Sequence, residues 1–328
     1  MKLWMKLLLN TFIIIVLVIA GMFGYTLYEL RKVNTKEISK TNEDLGIKST
    51  ENLEKEDDSK VINIALFGVD RRGKSEPSRS DSIMILSIDI KNKQIKMSSI
   101  MRDTYVQIKD HGETKINHAY AFGGPQLAIR TLNENLGMDI ENYVTVDFFN
   151  LEKIIDAIGG VTIDVKQGEI SSLNINMLEA ANIEKKSITE IVKPGLQKLN
   201  GPQAVGYSRI RHDAEGDFRR TERQRIVLSA MITNIQSLGI TEYPSVVSKL
   251  LPLTETSMSS LDIIKLGTRV FTANIKTLQQ ERFPVDGYWE GKTIGGVWYL
   301  VADMEATVEQ LHKFIYEDIK PVGKASKY

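Results

Sequence analysis

The sequence predicts an α/β protein, a β-sheet layered with helices, behind one apolar N-terminal segment; an α+β arrangement of the same elements is the alternative. Three observations carry the prediction. Residues 61–69 are β-rich and nearly all apolar, as in a strand buried on both faces. Strand-like and helix-like runs then alternate, the pattern of a layered sheet. One uncharged stretch near the N-terminus has the length of a bilayer span. Composition sets the outer limits. With 328 residues, 42% hydrophobic and 26% charged, the chain is globular rather than disordered or collagen-like. Forty-two basic against 42 acidic residues give a net charge of +0, which argues against coating nucleic acid through an overall field. The absence of cysteine excludes a disulfide framework, a thiol nucleophile and every Cys-ligated metal site.

Taken in order, the apolar segment comes first. Residues 7–27 carry no charge and approach the roughly 20 residues a spanning helix needs. A cleaved signal peptide competes, but its apolar region is usually ~7–15 residues and ends in a small-x-small site, poorly formed around Ala20. A transmembrane signal-anchor at 7–28 is therefore expected, with residues 1–6 cytoplasmic; Lys2 and Lys6 favour that orientation, and Arg31 and Lys32 weaken the asymmetry. No second long apolar run follows, so a single-pass cell-membrane protein with an extracellular remainder is expected. Residues 29–60, with few apolar positions, read as a polar stalk or frayed helix. The folded domain is expected from 61 to 328.

Within it, 81–89 and 94–101 read as strands joined by a turn at Lys91-Asn92-Lys93. Residues 125–136 read as a helix with Pro125 in its first turn. A strand at 142–146 leads to Asp147, which caps a helix whose Phe148, Leu151, Ile154, Ile155 and Ile158 share a face. Gly159-Gly160 ends it, and 161–165 returns as a strand. The polar stretch 166–193 reads as surface structure. Helical periodicity resumes at 202–209, 221–235, 244–251 and 260–277, followed by a strand at 297–301 and a closing helix at 304–319. There is no repeat at solenoid periods.

Three features could carry chemistry. Arginine is concentrated at Arg209, Arg211, Arg219, Arg220, Arg223 and Arg225, and its planar fork of donors matches phosphate oxygens. On a helix, Arg220, Arg223 and Gln224 share a face; in an extended segment, Arg209 and Arg211 project together. The alternative is a solvated face laced with Asp213, Glu215, Asp217 and Glu222. Second, Asp70 follows one buried strand and Asp81 begins the next, which puts both at one sheet end, where open sheets place ligands. Two close carboxylates suit a Mg²⁺ ion that also binds a substrate phosphate; two turn-forming aspartates are the plainer reading. Third, Arg102 ends the third strand near the same edge, with Asp103 beside it and Lys115, Asn117 and His118 following. The four histidines lack metal-ligand spacing, so His118 and His212 read as hydrogen-bonding or surface residues. No P-loop and no Gly-x-Ser-x-Gly elbow occurs.

Together these stretches resemble the LytR-CpsA-Psr family. The resemblance lies in Phe67-Gly-Val-Asp-Arg-Arg72, Arg79-Ser-Asp-Ser-Ile-Met84, Ser99-Ile-Met-Arg-Asp103, Lys115-Ile-Asn-His-Ala119, Tyr207-Ser-Arg-Ile-Arg-His-Asp213 and Gly216-Asp-Phe-Arg-Arg-Thr-Glu-Arg-Gln224. It implies α-β-α layers around a central mixed sheet. It also implies a membrane-anchored extracellular phosphotransferase of Gram-positive type. Such an enzyme moves wall teichoic acid or capsular polysaccharide from an undecaprenyl-pyrophosphate carrier to a peptidoglycan hydroxyl. By position, Asp70 and Asp81 would hold Mg²⁺, with Mn²⁺ as a substitute, and with Arg102 form the catalytic set. Arg79, Arg102, Arg209, Arg211, Arg220 and Gln224 would bind the pyrophosphate, supported by Asp103, Lys115, Asp217 and Arg223. Arg219 stands where the family usually has Gly, so its side chain either leaves the site or narrows it. A metal-site Asp or Asp103 is the candidate general base, and helices should form a groove for the polyprenyl chain. A pyrophosphate hydrolase using the same residues, and a non-enzymatic membrane-anchored regulator, are the alternatives; no nucleic acid partner is expected.

Overall fold

The structure, a computed structural model, describes residues 34–48, 60–70, 78–211, 216–239, 242–275 and 277–324. The expected cytoplasmic stretch 1–6 and span 7–28 lie outside the described residues. Among the described residues, no helix is long and apolar enough to cross a membrane.

The first described elements correct the expectation of a stalk over 34–48. Strand β1 (Asn34–Thr35) and the single turn α1 (Asn42–Leu45) lie against the domain. The Thr41 hydroxyl accepts from the Asp44 amide to cap the turn. Leu45 is 0% exposed in the main core, and Asn133 Nδ2 donates to its carbonyl at 2.8 Å. Averaged over 29–60 the segment is too polar to fold alone, but Ile38, Leu45 and Ile47 suffice where the domain offers a groove.

The chain continues through β2 (Ile62–Val69), β3 (Ser80–Asp89), β4 (Gln94–Ile100) and a small hairpin, β5 (Tyr105–Ile108) with β6 (Gly112–Lys115). Helix α2 (His118–Leu136) is broken at Gly124, whose φ of 63° only glycine adopts easily, so Pro125 opens a second helical stretch as expected. Next come β7 (Asn142–Asp147), α3 (Phe148–Ala157) with its Asp147 cap, β8 (Val161–Val165), α4 (Ile170–Glu184), β9 (Gly195–Leu199) and α5 (Gly201–Ser208). The chain ends with α6 (Asp217–Gln236), α7 (Tyr243–Leu250), β10 (Glu255–Thr256), α8 (Ser260–Thr272), β11 (Thr277–Phe283), β12 (Trp289–Ile294), β13 (Val297–Ala302) and α9 (Met304–Glu317).

Seven strands form one mixed sheet in the order β1-β10-β7-β2-β3-β4-β11. β2 runs parallel to β7 and antiparallel to β3, and β4 runs parallel to β11. Alternation on the pleat separates two cores. Ala65, Phe67, Ile83 and Ile85 face α2 and α9, whereas Ile64, Leu66, Leu86 and Ile88 face α8. Each fully buried Ile or Phe contributes about 1.5–3 kcal/mol, so the sheet is held from both faces in α-β-α layers. β1 runs opposite to β7, with Asn34 level with Glu255 and hence with Thr145; the chain therefore enters the sheet from the end where β2 and β7 finish.

The stretch 166–193 is more than surface structure. It contains α4, whose Leu173, Met177, Ala180 and Ala181 are buried between exposed Ile175 and Leu178, so apolar residues occur all round the helix and blur its period. The helix expected to 277 ends at Thr272, and β11, β12, β9 and the β5–β6 hairpin appear where polar sequence gave no alternation.

Candidate functional site

The C-terminal ends of β2, β4 and β7 and the start of β3 converge at one sheet end. Arg102 sits in the turn after β4. That turn is fixed by the Met101 amide donating to Phe283 O at 3.0 Å and by the Thr104 hydroxyl donating to Met101 O at 2.6 Å. Its guanidinium meets three carboxylates: Nη1 donates to Asp81 Oδ1, Nη2 lies 3.3 Å from Asp217 Oδ1, and Nε lies 3.6 Å from Asp103 Oδ2. Burial pulls the Arg102 pKa down, but Asp217, Asp81 and Asp103 outweigh it and leave it raised. Lys115 Nζ closes the group at 2.6 Å from Asp103 Oδ1.

Arg220, 2% exposed on α6, places Nη2 2.8 Å from Asp217 Oδ1 and donates to the Asp81 carbonyl at 3.1 Å. Burial, opposed by Asp217 and reinforced by Arg102 and Arg211, pushes its pKa down to about 10, so it stays cationic at neutral pH. Its Nε and Nη1, and Arg102 Nε, are buried without a hydrogen-bond acceptor. Buried donors are normally paired because leaving them unmade costs ~1–3 kcal/mol, more when charged. The two free donors of Arg220 are therefore available to an anion, whereas Arg102 Nε is turned to Asp103.

The other expected residues divide. Asp70 follows β2 past a bulge at Gly68 and Val69, and its carbonyl accepts from Ser78 Oγ at 3.3 Å; it thus lies at the same sheet end as Asp81. Arg79 is exposed, and its charge acts on His118. His118 pairs through Nδ1 with Thr114 Oγ1 at 2.9 Å, and burial, then Arg79 and Lys115, hold its pKa below the usual value. Arg209 lies over the Phe148 ring at 5.4 Å and donates to Asn176 O at 3.4 Å. Arg211 is exposed. His212 lies outside the described residues.

One correction concerns the shared face of Arg220, Arg223 and Gln224. Arg223 turns toward α4, donating from Nε to Glu169 Oε1 at 2.8 Å and from Nη1 to Ile210 O at 3.3 Å, so it braces two helices. Gln224 instead lines a cavity. Arg219 is exposed and pairs with Glu222 at 3.0 Å, which places it outside the site.

Sequence reasoning anticipated a groove but not its walls. An apolar cavity of about 250 Å³ opens between Gly68, Ser82, Phe148, Gln224 and Val227. A second, of about 340 Å³, lies between the sheet and α7–α8; the two share Val144, Ile235, Leu250 and Thr254. The helical periodicity of α6 and α7 was the available signal; which strand face they would cover was not. As for a metal, Asp70 and Asp81 are hard oxygen donors at one sheet end, and Asp217 Oδ2 is buried without a hydrogen-bond donor. Among the described residues, no group of three or more His, Asp or Glu could hold an ion alone. Two carboxylates completed by substrate phosphate oxygens fit Mg²⁺, which seldom uses an all-protein cage.

Known proteins resemble this chain in sequence and in fold. The Staphylococcus aureus regulatory protein MsrR is 34% identical over 232 residues, 70% of this chain, and the match spans 66% of MsrR, just under two thirds of its length. The Bacillus cereus polyisoprenyl-teichoic acid–peptidoglycan teichoic acid transferase TagU is 30% identical over 289 residues, 87% of this chain and 88% of TagU. The structure of TagT bound to LIIa-WTA superposes with a TM-score of 0.65 at 26% identity, covering 83% of this chain and 96% of TagT. The LytR_cpsA_psr family model matches residues 26–314. The chain therefore belongs to the LytR-CpsA-Psr family.

Proposed function

We propose that the protein is a phosphotransferase that moves an anionic cell-wall glycopolymer, of the wall teichoic acid or capsular polysaccharide type, from an undecaprenyl-pyrophosphate carrier to a peptidoglycan sugar hydroxyl. One observation carries the reading: Arg220, whose Nε and Nη1 are buried without an acceptor, donates to the Asp81 carbonyl and stands one helical turn before Gln224, and Ser82 and Gln224 are walls of an apolar cavity. A ligand with a polyprenyl tail and a pyrophosphate head has that combination of chemistries. The name of TagU, a teichoic acid transferase, and the LIIa-WTA bound by TagT support it.

In this reading the acceptor oxygen bonds to the polymer-linked phosphorus, and the bridging P–O bond breaks with its electron pair leaving on undecaprenyl phosphate. The hydroxyl proton passes to a carboxylate, Asp103 or one of the metal-site aspartates. Arg102, Arg220 and Arg211 neutralise the phosphate oxygens, with Arg79 and Arg209 at the margins, and Asp217 orients Arg102 and Arg220. Asp70 and Asp81 would hold Mg²⁺, or Mn²⁺ in its place, which would supply further charge neutralisation at the phosphates. The apolar segment 7–28 would anchor the chain in the cell membrane, with the domain outside beside the lipid-linked substrate. A nucleic acid partner does not suit arginines that the anchored reading places outside the membrane.

The test incubates full-length protein in detergent with a lipid-linked glycopolymer analogue, peptidoglycan fragments and Mg²⁺. A phosphodiester-linked product, lost in Asp81→Ala and Arg102→Ala, is expected. Carrier release without polymer on the acceptor would replace transfer by hydrolysis. No reaction with intact carrier binding would favour a regulatory role, the description MsrR carries.

A further inference from the structure

The β12–β13 hairpin is joined to the turn that carries Arg102. The Leu300 amide donates to Asp103 O at 3.0 Å, Thr104 bridges to Leu300, and Tyr299 packs edge-on against Tyr105 at 4.8 Å. Next to it in sequence, Trp298 is 44% exposed. Its indole lies across Gly291 of the paired strand, where a Cβ would come within 2.8 Å of Nε1. Only a glycine permits that approach, and it lays the ring against the hairpin backbone. Lys115 Nζ, paired with Asp103, stands 5.9 Å from the ring centres of both Trp298 and Tyr299. An exposed aromatic ring thus borders an Asp–Lys pair at the edge of the candidate site.

A pyranose ring has an apolar C–H face and a rim of hydroxyls. An aromatic surface beside a carboxylate and an ammonium matches both, as binding sites generally pair apolar walls with a few placed polar groups. Position decides which sugar. Arg102 stands between two regions: Nη1 and Nη2 face Asp81 and Asp217 toward the cavity, and Nε faces Asp103 toward the hairpin. In a displacement at phosphorus, the attacking and leaving oxygens lie roughly in line. With the carrier in the cavity, the attacking hydroxyl comes from the hairpin side.

We propose that Trp298 is the stacking platform for a sugar ring of the acceptor glycan, with Asp103 and Lys115 binding that sugar's hydroxyls. This inference rests on the transferase reading for the identity of the acceptor, but its test can fail separately. Full-length protein in detergent is titrated with soluble, uncrosslinked peptidoglycan glycan strands, and the acceptor KM is measured alongside. In Trp298→Ala both the glycan Kd and the acceptor KM rise about tenfold, the scale expected for one lost anchor side chain. Gly291→Val, which displaces the indole without removing it, does the same, and Trp298→Phe stays within about threefold of the parent. Affinity for a polyprenyl pyrophosphate probe is retained in all three, which also reports that the domain is folded. Unchanged glycan affinity in Trp298→Ala overturns the platform while transfer continues. So does parallel loss of pyrophosphate affinity, or competition by the carrier-free polymer in place of the glycan strands. Glycan binding that depends on Trp298 but yields no transfer would uphold the platform and remove the transferase reading.

Discussion

Asp217 Oδ1 lies 2.8 Å from Arg220 Nη2 and 3.3 Å from Arg102 Nη2, so one carboxylate oxygen is shared by two guanidinium groups. The residues come from α6 and from the turn after β4, and that single oxygen couples the helix to the sheet where the candidate phosphate site forms. Without it two cations would face each other in a partly buried place. Asp217→Asn is therefore expected to lower transfer at least tenfold and to destabilise the fold by about 1–3 kcal/mol. Chemical denaturation and initial-rate assays read the two effects independently.

Arg220 is the most buried arginine of the cluster, and its free donors give it a geometric role that a point charge cannot fill. Arg220→Lys keeps the charge but loses the fork, so affinity for a polyprenyl pyrophosphate is expected to fall by about tenfold to a hundredfold, against almost complete loss in Arg220→Ala. Calorimetric titration checks the order; equal affinity in Arg220→Lys and the parent would remove the bidentate role.

The cavity gives a steric prediction. Val227 lines it from α6, and Val227→Trp would push an indole ring into its 250 Å³. Binding of long-chain polyprenyl pyrophosphate is expected to weaken far more than binding of inorganic pyrophosphate, because only the tail needs the space. A variant that weakens both ligands alike would indicate a displaced α6 instead.

His118 supplies a pH dependence. Burial, with Arg79 and Lys115 next in effect, lowers its folded-state pKa below the ordinary value of about 6.5. The neutral ring is therefore the form the fold accommodates. Stability from this group is complete above the unfolded value and is lost as pH falls from about 6.5 through the lowered folded pKa. Thermal unfolding of His118→Gln should show a flatter pH profile over that window than the parent; coincident profiles would rule this out.

The N-terminal strap gives a stability prediction. Leu45 is fully enclosed, and Leu45→Ala is expected to cost about 2–5 kcal/mol, comparable to truncations inside an ordinary core. A solvated stalk would show no change in the same denaturation experiment.

Much of this architecture was legible where local and tertiary demands coincide. The strand around Ala65 and Phe67 is apolar because both its faces are covered, and Asp147 caps α3 through a bond to Asn150 that depends only on neighbouring residues. Legibility failed where a distant surface decides. Leu45 is a lone apolar residue in polar sequence, and only the groove beside Asn133 makes it core. Within the site, the convergence of Asp81 and Arg102 followed from strand order. The split between Gln224 and Arg223 did not, since helical spacing assigns a common face but cannot say that Glu169 waits on one side of it.

β1 begins level with Thr145, at the sheet end that carries Asp70 and Arg102. Polypeptide arriving from the apolar segment reaches the domain from that side, and the six residue steps from 28 to 34 can extend no further than about 22 Å. In the anchored reading proposed above, that distance sets the height at which the arginines work, and inserting residues between 28 and 34 would change their reach without altering a single contact among them.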